Sequence, residues 1–349
     1  MKFIKLHITF FCALFVFQYT TGVLANNNTK NTTSISNISN INSQKSINAT
    51  REWLEAVQKQ AKTSNFKGVV VMQKQNANNI RTRTFSITHF YDGNSEYEKI
   101  NALDGNMRFI MRINQIVQAY VEQKKLIIST KRDDAGFPFI TNNVHQVSKL
   151  YNLSPLGQER ILGYKADIFS LTPRNPKDKR YSYKIWTSND LILKIQTLWQ
   201  DKLLEQVFFS DIQNIEFNQN EVQEWMSYGK NWQYRLPRMQ EFDIKKSGWE
   251  FPREYKGYEY IKSMQTSMPK DMYMYQILYS DGLASISLFI ETNSTHNVEM
   301  ENVLNRYKNI NRGNNHIFAK NIGVYSITAV GEAPPVILEE IIDTIKAPE

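Results

Sequence analysis

Tyr273–Glu291 reads YMYQILYSDGLASISLFIE, and the rest of the chain is organised around it. Tyr273, Tyr275, Ile277 and Tyr279 alternate with Met274, Gln276 and Leu278, the period of two that a strand requires. Ser280-Asp281-Gly282 interrupts, and Ile286, Leu288 and Ile290 then resume the alternation. Asp-Gly between two such runs signals a hairpin, because a type I′ turn needs φ > 0 at both central positions. The stretch reads as turn chemistry and sheet packing, with an exposed tip at Ser280–Leu283.

Upstream, the same period recurs. Gly68–Gln73 is a β-branched run, and Ile80–Phe90 alternates. Further strand candidates are Glu96–Ala102, Met107–Ile113, Ile116–Val121, Lys125–Ser129, Ala166–Leu171, Arg180–Thr187, Leu191–Leu198 and Leu203–Ser210. Short strands joined by tight turns predict a large antiparallel meander that curls over its apolar face. A helix over Thr50–Lys62, N-capped by Thr50, presents Trp53, Leu54, Val57 and Ala61 along one side. Downstream, the expected elements are a strand at Tyr258–Thr266, a helix at Val298–Lys308 and a strand pair at Ile317–Lys320 and Val324–Val330. A closing helix follows Pro334-Pro335.

These elements divide the chain into five parts. Residues 1–25 carry Lys2 and Lys5, an apolar run and Val23-Leu24-Ala25, the pattern of a signal peptide cleaved near Ala25. Residues 26–49 are Asn/Ser-rich and predict a disordered tether. Residues 50–217 form an N-terminal β domain, 218–247 a connection, and 248–349 a smaller C-terminal α+β domain. Cys12, the single cysteine, lies in the leader, so a mature chain would have none, which suits a bacterial periplasm. The formal charge of +8 is spread over short pairs such as Lys124-Lys125, Lys131-Arg132, Lys179-Arg180 and Lys245-Lys246. These predict a basic surface, open to anionic lipid headgroups or an acidic partner segment. Nucleic acid is a poor partner for an exported chain.

No catalytic motif is present: no G-x-S-x-G elbow, no H-E-x-x-H, no Walker loop and no dinucleotide glycine set. The histidines past the leader, His89, His145, His296 and His316, are far apart in sequence. The sequence therefore predicts neither enzyme nor cofactor nor metal. Trp225, Trp232, Tyr228 and Tyr234, set among Arg235, Arg238, Lys245 and Lys246, interrupt the strand pattern. They pack in a domain interface or form part of a binding groove.

An ordered set of short motifs resembles the MucB/RseB family of periplasmic regulators of the envelope-stress sigma factor. Tyr279–Ser285, YSDGLAS, resembles the family's YSDGL(A/F)S. Asp104-Gly105 with Arg108 resembles D-G-x-x-R, and Arg180–Trp186, RYSYKIW, resembles R-Y-x-Y-x-x-W. Leu204-Glu205-Gln206 with Phe208, and Val330–Pro334, resemble L-E-Q-x-x-F and V-G-E-x-P. Gly157–Arg160, Gly163 and Ala166 resemble G-R-x-R-x-x-G-x-x-A, with Gln158 where Arg is common. Trp249–Tyr258, WEFPREYKGY, is longer than the family's W-x-L-P-x-G-F.

The resemblance implies an α+β protein: an N-terminal LolA/LolB-like curved, unclosed antiparallel β-barrel wrapping helices, plus the smaller C-terminal domain. It also implies binding to the periplasmic domain of an anti-sigma factor, shielding it from site-1 proteolysis, with release by lipopolysaccharide or another anionic lipid. On that basis the partner-binding candidates are Trp225, Trp232, Tyr234, Arg235, Arg238, Ser280, Asp281 and Leu283. Phe85, Ile87, Phe109, Met111 and Ile185 either line a lipid cavity or form closed core. A lipid or lipoprotein carrier using the same cavity is the alternative. A homo-oligomer is compatible with the sequence.

Overall fold

The computed structural model describes residues 36–75, 79–105, 108–131, 141, 143–236, 239–267, 273–292 and 314–348. The expected leader, the Val298–Lys308 helix, His296 and Arg238 lie outside these residues. Among the described residues, no helix is long and apolar enough to cross a membrane.

Two antiparallel meanders make the larger sheet. The first contains β1 (Phe66–Gln75), β2 (Ile80–Tyr91), β3 (Glu96–Ala102), β4 (Arg108–Ile113), β5 (Ile116–Val121) and β6 (Leu126–Lys131). The second contains β7 (Tyr151–Ile161), β8 (Tyr164–Pro173), β9 (Ser182–Ser188), β10 (Leu191–Trp199) and β11 (Lys202–Asn214). β1 pairs with β11, which joins the meanders side by side. β12 (Gln233–Arg235) adds in parallel to β6. The sheet thus runs from β12 at one edge to β7 at the other and does not close.

Helix α1 (Ser36–Thr63) lies on one face of this sheet with α2 (Val144–Leu150). The stripe read from the sequence is the buried one: Leu54 and Val57 pack with Tyr151, Leu171, Tyr183 and Ile185. The helix nevertheless starts well before Thr50, inside the expected tether, so disorder over Ser36–Ala49 is corrected. Tertiary contacts supply what composition lacks: Ser46 Oγ donates to Asn152 at 2.6 Å, and Arg174 reaches Ser46 at 3.1 Å. Thr50 is an interior residue, its hydroxyl donating back to the Ser46 carbonyl at 2.9 Å.

The smaller sheet contains β13 (Gln240–Glu241), β15 (Tyr258–Ser267), β16 (Tyr273–Ser280), β17 (Ser285–Thr292), β19 (Tyr325–Gly331) and β18 (His316–Ile322), in that order. β14 (Glu254–Tyr255) also pairs with β15. Helix α4 (Pro335–Ile342) buries Ile337, Leu338, Ile341 and Ile342 against Ile277, Ile286, Leu288 and Ile327. The fold is therefore α+β, an open curved sheet around helices plus a smaller sheet domain. The stretch 218–247 is not a free-standing connection. Helix α3 (Gln219–Ser227) and β12 pack on the first sheet, whereas β13 belongs to the second.

Candidate partner-binding site and domain junction

Trp225 lies on α3 and is buried, stacked on Phe90 with ring centroids 5.5 Å apart. Beyond it the chain turns at Gly229 (φ +72), where a Cβ would crowd Trp232, Ile127 and Tyr120 at 3.2–3.3 Å. Trp232 then meets Tyr120 and Tyr228 edge-on at 6.0 and 5.3 Å, and Lys125 Nζ sits 4.7 Å from its ring centroid. The Gln233 amide donates to the Lys125 carbonyl at 2.8 Å and so starts β12. Tyr234 and Arg235 are exposed on this edge strand. Met226, Tyr228, Tyr234 and Leu236 are 54, 39, 55 and 68% exposed, on or near β12, which is an edge strand among the described residues. Of the residues expected to touch a partner, Trp232, Tyr234 and Arg235 are thus brought together. Trp225 is instead spent in the core beneath them.

The tip of the β16–β17 hairpin is corrected more strongly. Ser280 and Asp281 are buried, and Leu283 packs against the core under α1. The loop spans Asp281–Ala284, and only Gly282 has positive φ (+94), so it is not a two-residue type I′ turn. Asp281 closes it with its own side chain: Oδ1 accepts from the amides of Leu283 and Ala284 at 2.9 and 2.7 Å. Its other oxygen, Oδ2, accepts from Arg180 Nη1 at 2.6 Å and from the Tyr151 hydroxyl at 3.0 Å. Both donors belong to the first domain, so this tip is a plug in the domain junction. A buried carboxylate is tolerable only when paired and hydrogen-bonded, and four donors meet that condition.

The plug is part of a larger contact. Arg180 Nε also donates to Asp178 at 2.8 Å, Nη2 donates to the Lys256 carbonyl, and the guanidinium lies 4.9 Å from the Tyr258 ring centroid. Burial opposes the Arg180 charge most, but Asp281, Tyr151, Tyr258 and the hydrogen bond to Asp178 together outweigh it, and the guanidinium pKa rises above its ordinary value. Burial, followed by the charge of Asp281, pushes the Tyr151 and Tyr258 phenols far up. Gln146 Nε2 donates to the Gly257 carbonyl at 3.0 Å. Farther along, Lys74 Nζ pairs with Glu205 at 2.7 Å and reaches Asn314 Oδ1 at 3.4 Å. Glu332, in the second domain, completes this cluster. Burial pushes its carboxyl up to about 7, with Lys74 opposing and Glu205 adding to the rise. The expectation that Lys179-Arg180 is simply solvated surface therefore fails at Arg180.

The five cavity candidates divide between two faces. Residues directly paired across antiparallel strands share a face. Phe85 pairs with Val70, which also pairs with Phe209; Val207 pairs with Ile195, and Ile195 with Ile185. Phe85, Ile87 and Ile185 therefore lie on the helix-covered face. Phe109 pairs with Asn101, next to Ala102, the partner of Phe85, so Phe109 and Met111 point the other way, under Trp225. A single cavity lined by all five is corrected by this parity. The helix-covered face also holds a polar group: Arg112 Nη1 donates to Glu96 at 2.6 Å, and Nε lies 3.5 Å from Glu98. Beside them burial lowers the pKa of His89, which holds the Ser64 carbonyl through Nδ1 at 2.7 Å.

Sequence reasoning missed Tyr151 and Gln146, and missed the role of Arg180. The signal for Arg180 was its place at the head of RYSYKIW, two residues before β9, where an arginine precedes a run of mostly buried residues.

Comparison with known proteins places this architecture. The MucB/RseB N-terminal domain family matches residues 49–226, and the MucB/RseB C-terminal domain family matches residues 243–346. The chain belongs to the MucB/RseB family. As a MucB/RseB protein it is 24% identical over 276 residues to the Sigma-E factor regulatory protein RseB of Haemophilus influenzae, covering 75% of this chain and 81% of that one. Its fold matches MucB in the Pseudomonas aeruginosa MucA/MucB complex with a TM-score of 0.61 at 18% identity. That match covers 86% of this chain and 99% of MucB. A second MucB structure, in complex with MucA(peri), gives a TM-score of 0.59 at 18% identity, over 85 and 98% of the two chains. MucB/RseB proteins are regulatory binding proteins, so the chain is not an enzyme.

Proposed function

We propose that the protein is a periplasmic regulator that binds the periplasmic region of a membrane-embedded anti-sigma factor and shields it from site-1 proteolysis. The observation that carries this reading is the match to MucB over most of both chains, since MucB has been solved with MucA and with MucA(peri). The outer edge of β12 offers backbone groups to an extended peptide, and such edges accept added strands. Trp232, Tyr234 and Arg235, flanked by Met226 and Leu236, supply the side-chain contacts.

Release follows from lipid or lipopolysaccharide binding on the helix-covered face near Phe85, Ile87 and Ile185. Lipid there favours a domain arrangement that loosens the Asp281 junction and weakens the peptide site. The coupling is reciprocal: bound peptide weakens lipid binding by the same factor. Pull-down with the anti-sigma periplasmic domain tests this, with and without lipopolysaccharide, alongside protection of that domain from site-1 protease. Retention that lipopolysaccharide abolishes is expected, and Tyr234→Ala with Arg235→Glu should weaken it tenfold or more. Absence of retention would overturn the regulator reading; retention insensitive to lipid would overturn only the release step.

A further inference from the structure

The β7–β8 hairpin ends in Arg160-Ile161-Leu162-Gly163-Tyr164-Lys165. Leu162 and Tyr164 are 40 and 37% exposed at its tip. Leu162 has φ +52 and Gly163 φ +85, the two positive angles of a tight hairpin turn. Among the described residues, the other non-glycine positions with positive φ are Asn114, Lys125, Asn189, Asp190, Gln200, Asp201 and Lys256, all polar or charged. Among the described residues, Leu162 is the one aliphatic side chain at a positive φ, and it is exposed.

The charges are as unusual as the leucine. Arg160 and Lys165 are directly opposite each other across the hairpin and both are exposed. Like charges in that relation repel. Neither makes an ion pair among the described residues; Glu159, beside them, accepts from Trp186 Nε1 at 2.7 Å through one oxygen and leaves the pair a net positive charge. They border a shallow, open surface hollow that Gln158, Glu159 and Gly163 also line. An apolar tip with two cations set just behind it fits one environment: acyl chains at the tip and anionic phosphates at the collar.

We propose that this hairpin docks the protein on an anionic lipid surface, with Leu162 and Tyr164 inserted and Arg160 and Lys165 on headgroup phosphates. The inference is independent of the partner reading, because it concerns the edge opposite β12.

Co-sedimentation with phosphatidylglycerol/phosphatidylcholine vesicles tests it, with phosphatidylcholine vesicles as reference. The unaltered chain should sediment with the anionic vesicles and not with the neutral ones. Arg160→Glu with Lys165→Glu should lower binding at least about tenfold, whereas Lys245→Glu with Lys246→Glu, an equal charge change elsewhere, should change it less than about twofold. Leu162→Asn suits the turn better, so binding should fall while Tm holds or rises. Leu162→Trp should show blue-shifted emission that brominated lipid quenches. The proposal is overturned if the unaltered chain stays in solution or binds both vesicle types alike. It is equally overturned if the two charge reversals act alike or Leu162→Trp escapes quenching.

Discussion

The hairpin joining β16 to β17 ends in serine, aspartate and glycine, and its serine and aspartate are shut away from water. The hairpin joining β7 to β8 ends in isoleucine, leucine, glycine and tyrosine, and its leucine and tyrosine stand in solvent. Each reverses the ordinary polarity of a turn. The difference lies in where the tip finds its complement. Asp281 meets Arg180 and Tyr151 in the neighbouring domain. Leu162 stands exposed among the described residues, and a Cβ at Gly163 would meet nothing within 4 Å.

The severest test of that contrast is Asp281→Ala. It takes the fully buried carboxylate from Arg180 Nη1, leaving only Asp178 and the Lys256 carbonyl, and strips two amide bonds from the loop, so denaturant unfolding should register a loss of about 3–5 kcal/mol. Arg180→Ala should cost a similar amount, and the double variant much less than the sum. A loss under about 1 kcal/mol would mean the junction is looser than its geometry.

Alanine at the two turn glycines separates strain from crowding. Gly163→Ala meets only the cost of φ +85, about 1–2 kcal/mol. Gly282→Ala adds a clash with Val147 Cγ2 at 2.6 Å, so about 3 kcal/mol is expected. Equal melting temperatures for the two variants would contradict a tightly packed plug.

Protonation should distinguish the buried region from the exposed one. Glu332 has a folded-state pKa near 7, against an ordinary value of 4.5. Its contribution to stability is complete below pH 4.5, shrinks as pH rises, and is gone above 7. The gap in Tm between the parent and Glu332→Gln should follow that window, and a gap independent of pH would refute the assignment. The smallest effect is at Leu162→Asn, a gain of about 0.5 kcal/mol from easing the left-handed turn.

Much of the sheet was legible because a solvated or half-buried strand writes its period into the sequence. β2, expected from alternation, and β3 and β5, expected as short runs between turns, fall within a residue of those expectations. β7 was not legible, since Pro155 and Gly157 argue against a strand. They are tolerated because β7 is an edge and its register shifts between those two residues. The early start of α1 was hidden by its Asn/Ser composition, because its support comes from Asn152 and Arg174, far along the chain. The candidate site divided the same way. Tyr234 and Arg235 stood out as an aromatic and a charge where the strand pattern fails, and the structure leaves both exposed. Asp281 could be read only as turn chemistry, because its decisive partner lies a hundred residues upstream. Phe85 and Phe109 look alike in sequence, and only strand register puts them on opposite faces.

The seam between β1 and β11 has a kinetic consequence. Each meander is built from hairpins between consecutive strands, whose short loops close at little entropic cost. Joining Phe66 to Asn214 closes nearly the whole domain at once. Two local wings should therefore form early and the seam late, with the seam limiting the folding rate. Gly68 lies on it, where a Cβ would come within 2.6 Å of the Asp211 carbonyl oxygen. Substitution there should leave hairpin formation intact and accumulate a two-winged intermediate, detectable as a lag between backbone and aromatic signals in stopped-flow refolding.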